Sequence, residues 1–297
     1  MKDKVYSFLA DKPGVRLDKY VSEKYPELSR THTQKLISNG YITVNDRVAK
    51  ARLKLNAGDM VNIIIPLAAP DIISPEVIPL NILYEDDDLL VIDKPAGLTI
   101  HPAPGHPSHT LANAILSHFP NLPDSSLRPG IVHRLDKDTS GVILVAKNNV
   151  AQLNLMDQFK TRSVVKVYLA LVQGHLIPKD GTVEAPIGRD PNNRKRMAIV
   201  AAGREARTQY HVVKYIGKYT LLEAIPETGR THQIRVHLLA IGYPVVGDKV
   251  YGTKSPYLSR QFLHASRLGF HLPSSDNYVE FTSELPHDLA QALKDIS

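Results

Sequence analysis

Between Gly130 and Val145 a dense polar turn lies between two apolar runs, Gly130-Ile-Val-His133-Arg134-Leu-Asp136-Lys-Asp138-Thr139-Ser140-Gly141-Val-Ile-Leu-Val145. Each run has the length and composition of a strand. The chain must therefore build a sheet, and the turn must hold its ionisable side chains at the mouth of that sheet. Arg134 and Asp136 in that setting suggest chemistry. Asp138, Thr139, Ser140 and Gly141 are also ordinary turn formers, and Arg134 with Asp136 would equally serve as a surface pair. The turn alone leaves both readings open.

The flanking sequence supplies the architecture. Residues 17–25 and 29–40 read as short helices: Leu17, Tyr20 and Val21 share a face of the first, Ser29 caps the second and Gly40 follows it. Strand-like 41–44, the turn pair Asn45-Asp46 and strand-like 60–65 come next. Residues 66–79 hold four prolines and little periodicity, as a linker would. Beyond them strand-like runs dominate, at 89–93, 141–147, 164–172, 208–215, 219–225 and 278–282. Helices interrupt them near 111–118, 150–162 and 231–241, and another starts at about Pro286. This order predicts a small helix-and-sheet domain over 1–70 and an α+β domain over 80–297.

Composition narrows the function classes. No cysteine occurs in 297 residues, which removes disulfides, thiolate metal sites and cysteine nucleophiles. No apolar run approaches ~18 residues, and the first residues lack the apolar core of a signal peptide, so a soluble cytoplasmic protein with no membrane partner is expected. The net charge of +6 is unevenly spread: residues 1–70 hold 12 Lys and Arg against 7 Asp and Glu. A basic excess at one end attracts a polyanion. With no Trp, a single-strand stacking platform is not expected. His133, His232 and His237 lack thiols or a tight acidic cluster around them in sequence, so no metal site is expected.

The string His133-Arg-Leu-Asp136-Lys-Asp-Thr-Ser-Gly141 resembles the signature loop of the RluA-type pseudouridine synthases, which isomerise uridine within structured RNA. The resemblance continues, in the family's order, through residues 93–102 (Asp93-Lys94-Pro95-Ala96-Gly97), Lys166-Val-Tyr168, Pro186-Ile-Gly188-Arg189 and Gly229-Arg230-Thr231-His232-Gln233-Ile-Arg235-Val-His237. It implies a catalytic domain on a large, mainly antiparallel mixed sheet. The N-terminal order of two helices and a small sheet resembles the S4-type RNA-binding domain. That likeness puts Arg16, Lys19, Arg30, Thr31, Gln34, Lys35, Asn45 and Arg47 on an RNA-facing surface; a solvated basic face is the alternative.

Three residues are expected to act at the reacting nucleotide. Breaking an N-glycosidic bond builds positive charge on the ribose, which a carboxylate stabilises; the resemblance assigns Asp136 to that task, by attack on the sugar or by removal of a sugar proton. A carboxylate in a base-sized pocket needs a cation beside it. Arg235 lies inside the helix expected after Gly229-Arg230-Thr231, and the family's matching Arg pairs with the catalytic Asp. Tyr168 shares a strand face with Lys166 and Ala170. It is either core packing or, as the resemblance implies, the ring packed against the target uracil that helps remove the C5 proton.

A uridine in folded RNA must be extruded before its sugar can be reached, and the resemblance has Arg134 enter the space left behind; a phosphate contact is the other reading. Arg189, Arg194, Lys195, Arg196, Arg204 and Arg207, with Asn192 and Asn193, read as a mobile loop that clasps phosphates or as a plain surface charge run. Residues 93–102 read as a rigid structural loop beside the site. The expectation is an RNA pseudouridine synthase acting on large-subunit ribosomal RNA or an assembling ribosomal particle, as a monomer and without cofactor. The rivals are a non-catalytic RNA-binding assembly factor, and a nucleoside or glycoside hydrolase using Asp136 with Asp138.

Overall fold

The computed structural model describes every residue except 1–3, 26–27, 66–72, 104–105, 121, 123–128, 195, 253 and 297. It comprises two compact units, Met1–Asp71 and Ile72–Ser297.

In the smaller unit the order is β1 (Lys4–Leu9), α1 (Leu17–Lys24), α2 (Arg30–Ser38), β2 (Ile42–Val44), β3 (Arg47–Val48) and β4 (Met60–Ile65). The strands form an antiparallel sheet in the order β1-β4-β2-β3. Ser29 caps α2 by accepting the His32 N–H at 3.3 Å, satisfying one of the donors a helix start leaves free. Asn45 and Asp46 both have positive φ, at 50° and 62°, as a tight two-residue hairpin requires. Leu17, Tyr20 and Val21 from α1 join Leu36 and Ile37 from α2 over Ile42, Val61 and Ile63 in one apolar core.

The larger unit contains β5 (Asn81–Glu85), β6 (Leu89–Lys94), α3 (Leu111–His118), β7 (Ser140–Ala146), α4 (Asn149–Thr161), β8 (Val165–Gln173) and β9 (Asp180–Glu184). There follow β10 (Ile187–Arg189), β11 (Met197–Ile199), β12 (Arg207–Ile216), β13 (Tyr219–Pro226), α5 (Gln233–Ala240), β14 (Leu263–His271), β15 (Tyr278–Thr282) and α6 (His287–Ile296). Its main sheet runs β5-β6-β7-β14-β8-β13-β12-β9, with β15 added to β14. Every pairing is antiparallel except β7 with β14. The fold is thus α+β on a large mixed sheet.

The two faces of this sheet are covered differently. Leu90, Ile92, Ile143 and Val145 point to α3, while Ala170, Leu222 and Ala224 point to α5. On the reverse face Leu89, Val91, Val142 and Leu144 meet α4, while Leu171 and Leu221 meet α6. Both faces of β6 and β7 are therefore buried, which is why their sequences are continuous apolar runs rather than alternations. Tyr168 packs against both the α3 and the α5 cluster. The cleft that will hold the chemistry opens there, bordered by the signature turn, the end of α4, β8 and the segment that leads into α5.

Two segments depart from the sequence reading, and a third refines it. Of the expected linker, 66–72 lie outside the described residues, but the part after it is bound to the larger unit: Ile73 is buried in the α3 core, and Asn113 Nδ2 donates to the Ser74 carbonyl at 2.7 Å. Of the basic run, Arg189 ends β10, Arg194 and Arg196 lie in the connection from β10 to β11, which pair antiparallel as a hairpin, and Lys195 lies outside the described residues. Ile187 and Met197 hold this hairpin to the α5 side through Val236 and Leu239. Finally, β14 was not expected as a strand, although it lies in the middle of the sheet. No helix among the described residues is long and apolar enough to cross a membrane.

Candidate active site

The signature turn crosses from the α3 core into β7, and its shape is imposed from behind. Gly141 has φ +111°, and a Cβ there would sit 2.1 Å from the Ala265 carbonyl of β14, so only glycine lets the two strands meet. Lys94, 0 % exposed at the end of β6, donates to the carbonyls of Pro95 (2.7 Å), Leu98 (3.0 Å) and Lys137 (3.1 Å). Burial lowers its pKa to about 7, while three carbonyl acceptors favour the ammonium form. Arg260 Nη1 donates to the Asp138 carbonyl at 3.0 Å, and its Nε reaches Asp288 of α6 at 2.6 Å. Ser140 Oγ lies 3.0 Å from His264 Nδ1, whose other nitrogen is 3.0 Å from the Ser283 carbonyl. His133 accepts the Leu144 N–H at 2.9 Å and stacks on Phe159; burial brings its pKa down to about 3, so it is a neutral structural ring.

This bracing presents Asp136 to the cleft. Arg235 Nη1 donates to Asp136 Oδ2 at 2.9 Å. Arg235 also grips Asp248 in a two-pronged pair, Nε to Oδ2 at 2.6 Å and Nη2 to Oδ1 at 2.8 Å. The side chain of Asp136 is 17 % exposed, that of Arg235 5 % and that of Asp248 0 %. Burial alone would depress the guanidinium, but the two carboxylates outweigh it and raise its pKa. Burial likewise pushes Asp248 up; Arg235 and the N–H groups of Val250 and Tyr251 reverse this and leave it lowered. With Oδ2 held, Oδ1 is the oxygen of Asp136 turned to other partners, and His232 Nε2 stands 4.0 Å from it.

His232 precedes α5 in the left-handed region, φ 58°. The helix expected from Thr231 therefore starts at Gln233, whose amide accepts from Arg230 N (2.9 Å) and Thr228 Oγ1 (2.7 Å) and donates to the Arg207 carbonyl (3.0 Å). This turn directs the imidazole to Tyr251, with Nδ1 2.8 Å from the phenol oxygen. Tyr251 also accepts the Met197 N–H at 2.8 Å, and the guanidiniums of Arg196 and Arg235 each lie 5.0 Å from its ring centre. Burial lowers the pKa of His232, against the pull of Asp136.

The cleft is a cavity of about 600 Å³ that includes Arg134, Asp136, Lys166, Tyr168, His232 and Arg235. Tyr168 forms part of its wall, and burial, then the charge of Asp136, raise the pKa of its phenol. Arg134 is exposed there, without a hydrogen bond or ion pair among the described residues. Asp138 is absent from the wall, and the Glu227 carboxylate is taken by Arg207 at 3.1 Å and Gln209 at 2.7 Å. Among the described residues one carboxylate, that of Asp136, is therefore offered to a ligand. His237 is held by Thr208 and the Ala185 carbonyl.

The remaining candidates lie apart from the cavity or outside the described residues. Arg189 donates to the Arg194 carbonyl at 3.0 Å, and both side chains are exposed. Arg196 turns inward onto Tyr251 instead of solvent. Lys195 lies outside the described residues. In the smaller unit Lys19, Thr31, Lys35 and Arg47 are exposed, whereas Arg16, Arg30 and Gln34 converge on one carboxylate. Asp18, 0 % exposed, accepts from Arg16 (3.0 and 3.1 Å), Arg30 (3.1 Å) and Gln34 (2.6 Å). Burial would raise its pKa; these donors bring it down to about 2. The two guanidiniums are thereby pre-oriented while half their surface stays open, at 45 % and 52 % exposure.

Asp248, Tyr251, Lys94 and Arg260 were not singled out from sequence. Asp248 lies in a loop 13 residues after its partner, where no helical or strand spacing links them. For Lys94, the signal was an apolar strand ending in a lysine before Pro95-Ala96-Gly97: a charge in a buried run needs buried acceptors.

Comparison with known proteins bears on the whole arrangement. Residues 88–240 match the family model described as RNA pseudouridylate synthase, and residues 15–61 match the S4 domain model. A protein of Chloroflexus aurantiacus, called an uncharacterized RNA pseudouridine synthase, is 48% identical over 95% of this chain and 90% of its own length. The ribosomal large subunit pseudouridine synthase D of Nitrosomonas europaea is 46% identical over 95% of this chain and 85% of its own. Among solved structures, human RNA pseudouridylate synthase domain containing 1 superposes with a TM-score of 0.60 at 30% identity, covering 73% of this chain and 89% of that one.

Proposed function

The chain belongs to the RNA pseudouridylate synthase family and carries an S4 domain, and on that premise we propose that it converts chosen uridines of large-subunit ribosomal RNA to pseudouridine, with Asp136 as the catalytic carboxylate. The single observation that carries the assignment is the Asp136–Arg235 pair at 2.9 Å in the wall of the cavity. Isomerisation breaks the bond from ribose C1′ to N1 of uracil, turns the base and joins C1′ to C5. The hydrogen on C5 leaves as a proton and N1 gains one, so atoms and electrons balance without an oxidant or a second substrate.

In this reading Oδ1 of Asp136 meets the positive charge that builds on the ribose, because Oδ2 is committed to Arg235. Tyr168 offers its ring to the uracil and its hydroxyl to the proton at C5. Arg134, without a hydrogen bond or ion pair among the described residues, enters the space from which the uridine was drawn. The basic N-terminal unit, through Arg16, Lys19, Arg30, Thr31, Gln34, Lys35 and Arg47, and the exposed Arg189 and Arg194 hold the surrounding RNA. Relatives whose names include the ribosomal large subunit support that choice of RNA. The protein acts as a monomer in the cytoplasm, on free RNA or on an assembling particle. A hydrolase needs a second carboxylate across the bond, and Glu227 is engaged elsewhere.

The test is release of tritium from unmodified large-subunit RNA labelled at C5 of uridine, by wild type and by Asp136→Asn, with the modified positions mapped. Release by the wild type alone is expected. Tight binding without release would mark a non-catalytic assembly factor, and free uracil among the products would mark a hydrolase.

A further inference from the structure

Lys166 is a cation in the cavity wall that makes no ion pair among the described residues. It lies on β8 two residues before Tyr168, on the same strand face, and both border the cavity. Two residues along a strand span ~6.6 Å, comparable with the reach from a base ring to the phosphate of its own nucleotide. An ammonium carries three N–H donors. Among the described residues Lys166 finds one acceptor, the Glu227 carbonyl at 3.4 Å, and one ring, Phe159 at 6.0 Å. The Glu227 carboxylate is already held by Arg207 and Gln209.

A second cation stands beside it. Arg162 follows α4 and borders the same cavity, with φ 65° in the left-handed region. That conformation costs a non-glycine residue about 1–2 kcal/mol, yet it is the turn that brings this arginine to the cavity. Two like charges at one wall, one of them half-buried, are costly until an anion joins them. Burial, then the charge of Arg162, lower the pKa of Lys166 to about 8.

We propose that Lys166 and Arg162 form a phosphate subsite that receives a backbone phosphodiester flanking the extruded uridine. A uracil carbonyl would accept one hydrogen bond but would leave both charges unbalanced. The inference rests on the RNA-modifying reading above and names how the site takes its substrate: Tyr168 meets the base and Lys166 the backbone.

The experiment uses stem-loop RNA with the target uridine and a neutral methylphosphonate placed in turn at each linkage around it. With wild type, one flanking linkage is expected to raise KM about tenfold when neutralised. Lys166→Gln should raise KM by the same factor with kcat within about twofold, and reduce the slope of log KM against log salt by about 0.7–0.9. At the sensitive linkage the methylphosphonate should then cost Lys166→Gln nothing further, and Lys166→Arg should restore most of the affinity. A wild-type enzyme indifferent to every flanking linkage overturns the proposal, as does a variant that loses kcat at unchanged KM or is still sensitive to the same linkage. The same scan read as binding to Asp136→Asn tests the subsite even where turnover is absent, so its failure is separable from failure of the catalytic reading.

Discussion

Arg235 holds two carboxylates that differ in burial, and substituting each in turn should separate stability from chemistry. Asp248 is 0 % exposed and takes two guanidinium bonds, while Asp136 is 17 % exposed and takes one. Removing one partner of a buried ion pair costs about 3–5 kcal/mol; because Arg235 keeps Asp136, Asp248→Asn is expected at the lower end, about 3 kcal/mol. For a unit of this size that lowers Tm by about 6–12 °C. Asp136→Asn leaves the two-pronged pair intact and should change stability by no more than about 1 kcal/mol while abolishing tritium release. Asp248→Asn should retain release but lower kcat about 10²-fold, since a guanidinium freed on one side misplaces the carboxylate it aims. The pH dependence carries a definite sign. The folded pKa of Asp248 is lowered, so its contribution is complete above the ordinary carboxylate range, about 4, and is lost as pH falls through the folded value. The gap between wild type and Asp248→Asn should therefore be widest near neutrality and close in acid. Urea unfolding from pH 7 to pH 3 measures it. Equal midpoints for wild type and Asp248→Asn at pH 7, or a larger loss for Asp136→Asn, would refute the division of labour.

Tyr168→Phe keeps the ring and removes only the hydroxyl, so RNA binding should stay within about twofold while tritium release slows by 10²-fold or more, the usual scale of acid–base help; equal release would confine Tyr168 to stacking. Arg134→Ala should impair turnover of a stem-loop more than that of an unstructured oligonucleotide, and equal losses would remove the gap-filling role. Asp18→Asn in the smaller unit should cost about 1–2 kcal/mol at pH 7, discounted for the open guanidiniums around it. That cost should disappear as pH falls from about 4 toward the folded value of about 2. Hydrogen exchange in α1 and α2 reads it, and unchanged protection would contradict the anchoring role.

Legibility followed burial. The runs that became β6 and β7 were readable because both their faces are covered, and α5 because Gly242 and Pro244 mark its end, although it starts at Gln233, so that Arg235 lies in its first turn. β14 reads Leu-His-Ala-Ser-Arg-Leu-Gly-Phe-His, and its polar residues hid a central strand. His264 is buried there because Ser140 and the Ser283 carbonyl satisfy both its nitrogens, a condition visible only once residues 124 apart have met. The same holds for Asp248: its partner is set by a loop returning beneath α5, which no local spacing encodes. Around the Arg189–Arg196 run, the short apolar strands that pair as a hairpin were not legible, because the charges between them dominate the sequence.

The bracing of the signature turn from behind also sets an order of assembly. The smaller unit draws all of its strands and helices from the first 65 residues, so a growing chain can fold it early. The catalytic turn cannot take its final shape until Arg260, His264 and then Asp288 have been synthesised, since these hold the Asp138 carbonyl and Ser140 in place. While translation is still under way, the protein would be able to hold RNA before it is able to alter it.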